Sequence, residues 1–172
     1  MKSTDNLEII FETLGFDLPG NIKSDIELNL ANNNYVNKHF AFIIDLKTNK
    51  VICYDNNIYF KSDSFPFSIH AEIQSIIKYY KSRSMSKSKK ALVVIKLSRT
   101  GLVGNSKFCL NCSRFIRNNF DNLNLKKVYY STMKTTQLVE LSKADLVDEN
   151  FRMSKGFMGR CLGKDNLFIK NK

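Results

Sequence analysis

The chain has 172 residues, 43% of them hydrophobic and 12% aromatic, and carries a formal net charge of +11. That composition excludes a disordered polypeptide and suits one globular domain able to bury a core without disulfides. No apolar run reaches the roughly 18 residues of a membrane span, and the early acidic residues rule against a secretory signal, so a cytoplasmic protein with reduced cysteines and no membrane contact is expected.

The first helix is expected over 6–14, where Leu7, Ile10, Phe11 and Leu14 recur at helical spacing and Asp5 stands ready to cap. Gly15 ends it, and Leu18, Pro19 and Gly20 mark a turn. A second short helix is expected over 22–30, with Ile22, Ile26 and Leu30 on one side. After an asparagine-rich loop, 39–46 and 51–54 read as the two strands of a hairpin, and 55–69 reads mostly as loop. The strongest helical pattern lies in 70–80, where Ile73, Ile76, Ile77 and Tyr80 repeat at i, i+3, i+4 and i+7. The Ser- and Lys-rich stretch 81–90 is expected to be exposed.

Next, 91–97 is so continuously apolar that a strand buried on both faces is expected. A loop with Gly101 and Gly104 leads to a helix over 109–120, then a strand over 127–131, a turn at 133–136 and a last strand over 137–141. Strands separated by helices imply parallel crossovers, and the hairpin adds antiparallel pairing. The expected product is an α/β protein with a mixed five-stranded sheet covered by helices. It forms a single domain over 1–172, with a core at 38–141, a helical extension at 1–34 and a tail at 150–172.

Two motifs carry chemistry: His70-Ala71-Glu72 and Cys109-Leu110-Asn111-Cys112. Both arising by accident has odds below about one in a hundred. Each opens an expected helix. Two cysteines three apart in a first helical turn point the same way, and a helix N-terminus favours thiolate over thiol. Two Cys and one His make three ligands for Zn2+ and leave a fourth position open for water, the pattern of a catalytic rather than a structural site. Zinc lowers the pKa of such a water toward about 7. Glu72 stands close enough to take that proton and deliver it to a leaving nitrogen. His39 and Cys161 are the spare soft ligands, and Cys53 reads as a buried small hydrophobe.

This constellation resembles the cytidine/deoxycytidylate deaminase superfamily, whose signature is His-x-Glu followed by Pro-Cys-x-x-Cys. Arg99-Thr100-Gly101, Asn105-Ser106-Lys107 and the strand Lys126-Lys127-Val128-Tyr129-Tyr130-Ser131 extend the likeness to about 38–141. The resemblance implies a three-layer cytidine-deaminase-like fold, zinc held by His70, Cys109 and Cys112, and Glu72 as the proton-moving residue. It implies an asparagine after the second strand that contacts substrate, and both Asn56 and Asn57 stand there. Ala71 and Phe108 join them as candidate substrate neighbours, and a homo-oligomer is also implied. Phe108 departs from the family pattern by standing in place of proline.

Three functions compete at this level. The first is deamination of a cytidine-type nucleoside or nucleotide. The second is deamination of a base in RNA or single-stranded DNA, motivated by the net charge and by the basic stretch 78–90, which holds Lys78, Lys81, Arg83, Lys87, Lys89 and Lys90 beside Tyr79 and Tyr80. The third is a catalytically inactive, zinc-stabilised binding module, against which Glu72 speaks, since structural zinc has no use for it. A pocket with Arg or Lys at its back indicates a nucleotide; an open groove indicates a strand.

Overall fold

Leu7, Ile10 and Phe11 build the buried side of α1 (Asp5–Thr13), and Gly15 follows it at φ +70°, a left-handed conformation that glycine adopts without strain. Ile22, Ile26 and Leu30 do the same for α2 (Gly20–Ala31), which starts directly after Pro19. The structure is a computed structural model that describes residues 4–32, 37–60, 67–82, 86–133, 136–147 and 150–152.

Next come β1 (Asn37–Asp45) and β2 (Lys50–Asn56), the expected hairpin. The Asp45 carboxylate closes their turn by accepting the backbone N–H of Lys47 at 2.7 Å. The stretch 55–69 differs from the expected loop. Within it β3 (Ile58–Phe60) and β4 (Phe67–Ile69) pair antiparallel, with Ile58 opposite Ile69. Three residues per strand are too few to show a period in sequence. The pairing anchors the chain immediately before His70.

Then follow α3 (Ala71–Lys81), β5 (Lys90–Ser98), the short β6 (Val103–Gly104), α4 (Leu110–Asn119), β7 (Leu125–Ser131), β8 (Leu138–Leu141) and a 3₁₀ turn at Lys143–Asp145. The main sheet runs β2-β1-β5-β7-β8, with β6 paired to the end of β5. Only β5 and β7 are parallel, joined through α4; the other neighbours are antiparallel. One end of the supposedly exposed stretch 81–90 is also corrected. Lys90 opens β5 and is buried, its ammonium donating to the carbonyls of Ser86 at 2.6 Å and Ser88 at 2.8 Å.

Side-chain alternation sorts the strands into two faces. Phe40, Phe42 and Ile44 of β1, with Ala91, Val93 and Ile95 of β5, pack against α1 and α2. Ala41 and Ile43, with Leu92 and Val94, face α3 and α4. The result is the expected three-layer cytidine-deaminase-like arrangement, helices on both faces of a mixed sheet. Among the described residues no helix is long and apolar enough to cross a membrane.

Candidate metal centre

The same alternation carries past the apolar core. On the α3/α4 face of β1 and β5, the next positions beyond the Ala41–Val94 pair toward one end of the sheet are His39 and Lys96, which pair across the strands. Here the core gives way to a cleft of about 970 Å³, and the N-termini of α3 and α4 open into it.

His70 is the N-cap residue of α3 and Cys109 that of α4, both extended, and Cys112 lies in the first turn of α4. The backbone N–H of Cys112 reaches the Cys109 sulfur and favours its thiolate, and both helix N-termini bring positive character to the site. One amide of α4 is satisfied from elsewhere: Leu110 N–H donates to the Arg152 carbonyl at 2.8 Å. A serine clasp fixes the approach to Cys109. Ser106 Oγ donates to the Val94 carbonyl at 2.7 Å and accepts the Ser131 N–H at 2.8 Å, and Ser131 Oγ donates to the Gly104 carbonyl at 2.6 Å. The loop entering α4 is thereby tied to the ends of β5 and β7.

The three expected ligands meet. His70 Nδ1 lies 3.2 Å from Cys112 Sγ and 3.6 Å from Cys109 Sγ, and the two sulfurs are 3.3 Å apart. A tetrahedral zinc with ordinary bonds to sulfur and nitrogen sets such edges at about 3.6–3.8 Å, so the cluster fits a metal ion within a few tenths of an ångström. One imidazole and two thiols are the donor set of a borderline-soft ion. Glu72 is buried, with Oε1 3.8 Å from His70 Nδ1.

The electrostatics follow from this crowding. The neighbouring Cys112 sulfur, with help from the His70 imidazole and against burial, holds the Cys109 thiol down to about 4. Cys112 is pushed upward by the same contact with Cys109 and by burial, so the pair shares one proton with the charge on Cys109. Burial raises the Glu72 carboxyl, while Cys112 and His70 pull it the other way.

Of the two asparagine candidates, Asn57 lines the cleft and Asn56 does not. Asn57 is buried and pinned to β1: its Oδ1 accepts the His39 N–H at 2.9 Å and its own N–H donates to the His39 carbonyl at 3.2 Å. Ala71 is fully buried in the core. Phe108 lines the cleft and packs edge-on against Tyr130, with ring centroids 5.8 Å apart. His39 lines the cleft but lies outside the three-residue cluster. Cys53 is partly buried on β2, and burial pushes its thiol up to about 11. Cys161, Arg83, Ser154, Lys155, Gly156 and Gly159 lie outside the described residues.

Sequence reasoning missed two contributions. The tail from 150 opens by lining the cleft with Asn150, Phe151 and Arg152. No signal in the sequence marks those three. Lys96 also lines it. Its signal was present: one charged residue inside the otherwise apolar run of β5.

The architecture and the His/Cys/Cys cluster agree with the fold and the donor set that the resemblance in sequence implies. No protein-family model matches the chain, and no curated protein matches it. Among solved structures it is similar to cytidine deaminase from Burkholderia pseudomallei, at 14% identity and a TM-score of 0.46, covering 78% of this chain and 100% of that one.

Proposed function

We propose that this protein is a zinc-dependent hydrolase that deaminates a cytidine-type nucleoside or nucleotide. The observation that carries the reading is the convergence of His70, Cys109 and Cys112 beside a buried carboxylate, Glu72, in one cleft. His70, Cys109 and Cys112 would hold the metal. When bound, zinc supplies Lewis acidity that brings the pKa of a water toward about 7.

Glu72 does the proton work. Hydrolytic deamination forms a carbon–oxygen bond from water and breaks a carbon–nitrogen bond, so of the water's two protons one must reach the ring nitrogen beside the reacting carbon and the other the departing amine. The Glu72 carboxylate accepts each proton from the oxygen in turn and hands one to the ring nitrogen and one to the amine, which leaves as ammonia. Asn57, pinned by its bonds to His39, presents its Nδ2 donors for orienting a base or sugar. Phe108, packed against Tyr130, forms an apolar piece of wall near Cys109.

A burial cost at Glu72 also weighs against a purely structural metal site. A buried carboxylate lowers stability, and among the described residues the cluster offers three ligands, one short of a closed structural site. The test is release of ammonia from cytidine, deoxycytidine and their monophosphates by zinc-loaded protein. Turnover of at least one is expected. Silence across all of them overturns the proposal.

A further inference from the structure

Three cationic side chains line the cleft beside the metal cluster: Lys96, Lys107 and Arg152. Glu72 is the one carboxylate among the described residues that line it. Among the described residues, no carboxylate forms an ion pair with any of the three cations. Elsewhere on the described surface lysines do find such partners: Lys23 with Glu8, Lys127 with Glu140 and Lys143 with Asp121. Among the described residues the cleft thus gathers positive charge that no carboxylate pairs, and concave walls focus that field.

Lys96 is the informative member. It sits on β5 two residues beyond Val94, which is fully buried on the same face. Lys96 is half-buried there, and it lines the cleft where the apolar face of β5 ends. Its stem crosses Gly104 closely. A Cβ at that position would lie 2.9 Å from Lys96 Cδ and 3.2 Å from Cγ. Glycine at 104 is what leaves room for the side chain to run past β6 to the cleft. On the facing segment Lys107 Nζ lies 5.6 Å over the Phe151 ring, next to Arg152. His39, the cross-strand neighbour of Lys96, is kept neutral by burial, at about 4, and adds hydrogen-bonding capacity without adding charge.

We propose that Lys96, Lys107 and Arg152 form an anion subsite that selects a nucleoside monophosphate over the free nucleoside. The inference rests on the deaminase reading for the base but not for the phosphate. A neutral nucleoside gives three clustered cations nothing to bind; a terminal phosphate monoester carries close to two charges at neutral pH. The cleft, at about 970 Å³, is at the upper end of the roughly 300–1,000 Å³ of small-molecule sites and has room for the added group. A strand is the poorer occupant. Of the basic stretch that motivated one, Lys78 is engaged by Asp55 and the Tyr54 ring, and Lys90 is buried.

The experiment measures equilibrium binding by calorimetry on zinc-loaded protein. The ligands are the 5′-monophosphates of the common nucleosides, the same nucleosides, inorganic phosphate and a short single strand without terminal phosphate. The proteins are wild type, Lys96→Met, Lys96→Gln and Gly104→Ala, each checked for an unchanged melting temperature. At least one monophosphate is expected to bind about 10–100-fold tighter than its nucleoside, as hydrogen bonds to charged groups allow, and inorganic phosphate to compete with it. Both Lys96 variants, and Gly104→Ala through displacement of the lysine stem, should erase most of that preference and leave nucleoside binding alone. Equal affinity for nucleotide and nucleoside, a preference that survives in both Lys96 variants, or tighter binding of the strand overturns the proposal. Phosphate preference without ammonia release from any ligand would sink the deaminase reading and leave the subsite standing. Ammonia release with no phosphate preference would do the reverse.

Discussion

At the residue scale, Glu72 separates a catalyst from a metal-holding scaffold. Its carboxylate is buried 3.8 Å from the imidazole of His70, outside the three-residue ligand cluster. Glu72→Gln keeps the size and hydrogen-bonding reach of the side chain but cannot carry a proton. The variant is expected to retain its metal by elemental analysis and to lose about 10²–10⁴-fold in kcat, the ordinary worth of a positioned general acid–base. Loss of metal along with activity would instead assign Glu72 to the ligand set. Asn57 shows how fine the distinctions are at this scale. Asn56 and Asn57 are chemically identical and adjacent, yet strand geometry seats only Asn57 in the cleft wall, with both of its hydrogen bonds directed to the backbone of His39.

At the scale of elements, the site is made where two helices begin and two strands end. α3 and α4 pack on one face of the sheet through Ile76, Tyr79, Cys112 and Ile116, with α3 lying over β1 and β2 and α4 beside it. Side-chain volume on this face therefore sets the position of the ligands as well as the stability of the fold. Ile76 is fully buried between α3 and the sheet, so Ile76→Ala should cost about 2–5 kcal/mol in urea unfolding. Leu28, 59% exposed on α2, provides the contrast; Leu28→Ala should stay within about 0.5 kcal/mol of wild type. Equal effects at the two positions would contradict the layer assignment. The serine clasp between Ser106 and Ser131 acts at the same scale, converting the ends of β5 and β7 into a fixed approach to Cys109.

At the scale of the whole molecule, titration couples the site to stability. His39 is held down to about 4 by burial, then by Lys96 and His70. The unfolded chain takes up that proton near the ordinary 6.5 and the folded chain only near 4, so between those values the unfolded state binds more protons. The stability tied to this group is full above pH 6.5 and is lost as pH falls toward 4. For Asp45, burial works to raise the carboxyl, but the Ser88 hydroxyl and the Lys47 and Thr48 amides bring it below its ordinary 3.8, and its contribution is lost on further acidification. The urea midpoint is expected to decline from pH 7 to pH 4, and His39→Gln to decline less over the same range. Parallel curves for the two proteins would show that His39 is not part of the effect.

Short-range information in the chain determined much of this protein. Helical periodicity in Leu7, Ile10 and Phe11, and in Ile73, Ile76 and Tyr80, placed helices within a residue or two of where they form, because burying one face of a helix imposes that spacing. The two ligand motifs were legible for the same reason: each is held within a single helical turn, so spacing alone states which side chains lie together. Other features depended on distances that no local pattern encodes. The β3–β4 pairing is three residues per strand and exists because two segments meet. Lys90 is buried, although it ends a run of solvent-facing type, because the Ser86 and Ser88 carbonyls fold back over its ammonium. The choice of Asn57 over Asn56, the arrival of Phe151 and Arg152 from the far end of the chain, and the passage of Lys96 over Gly104 were likewise decided only in three dimensions. The candidate ligands could be read from the chain because each motif lies within one helical turn, while the meeting of His70 with the cysteine pair was left to the packing. The rest of the cleft could not, because its walls come from segments brought together only by the packing of the sheet.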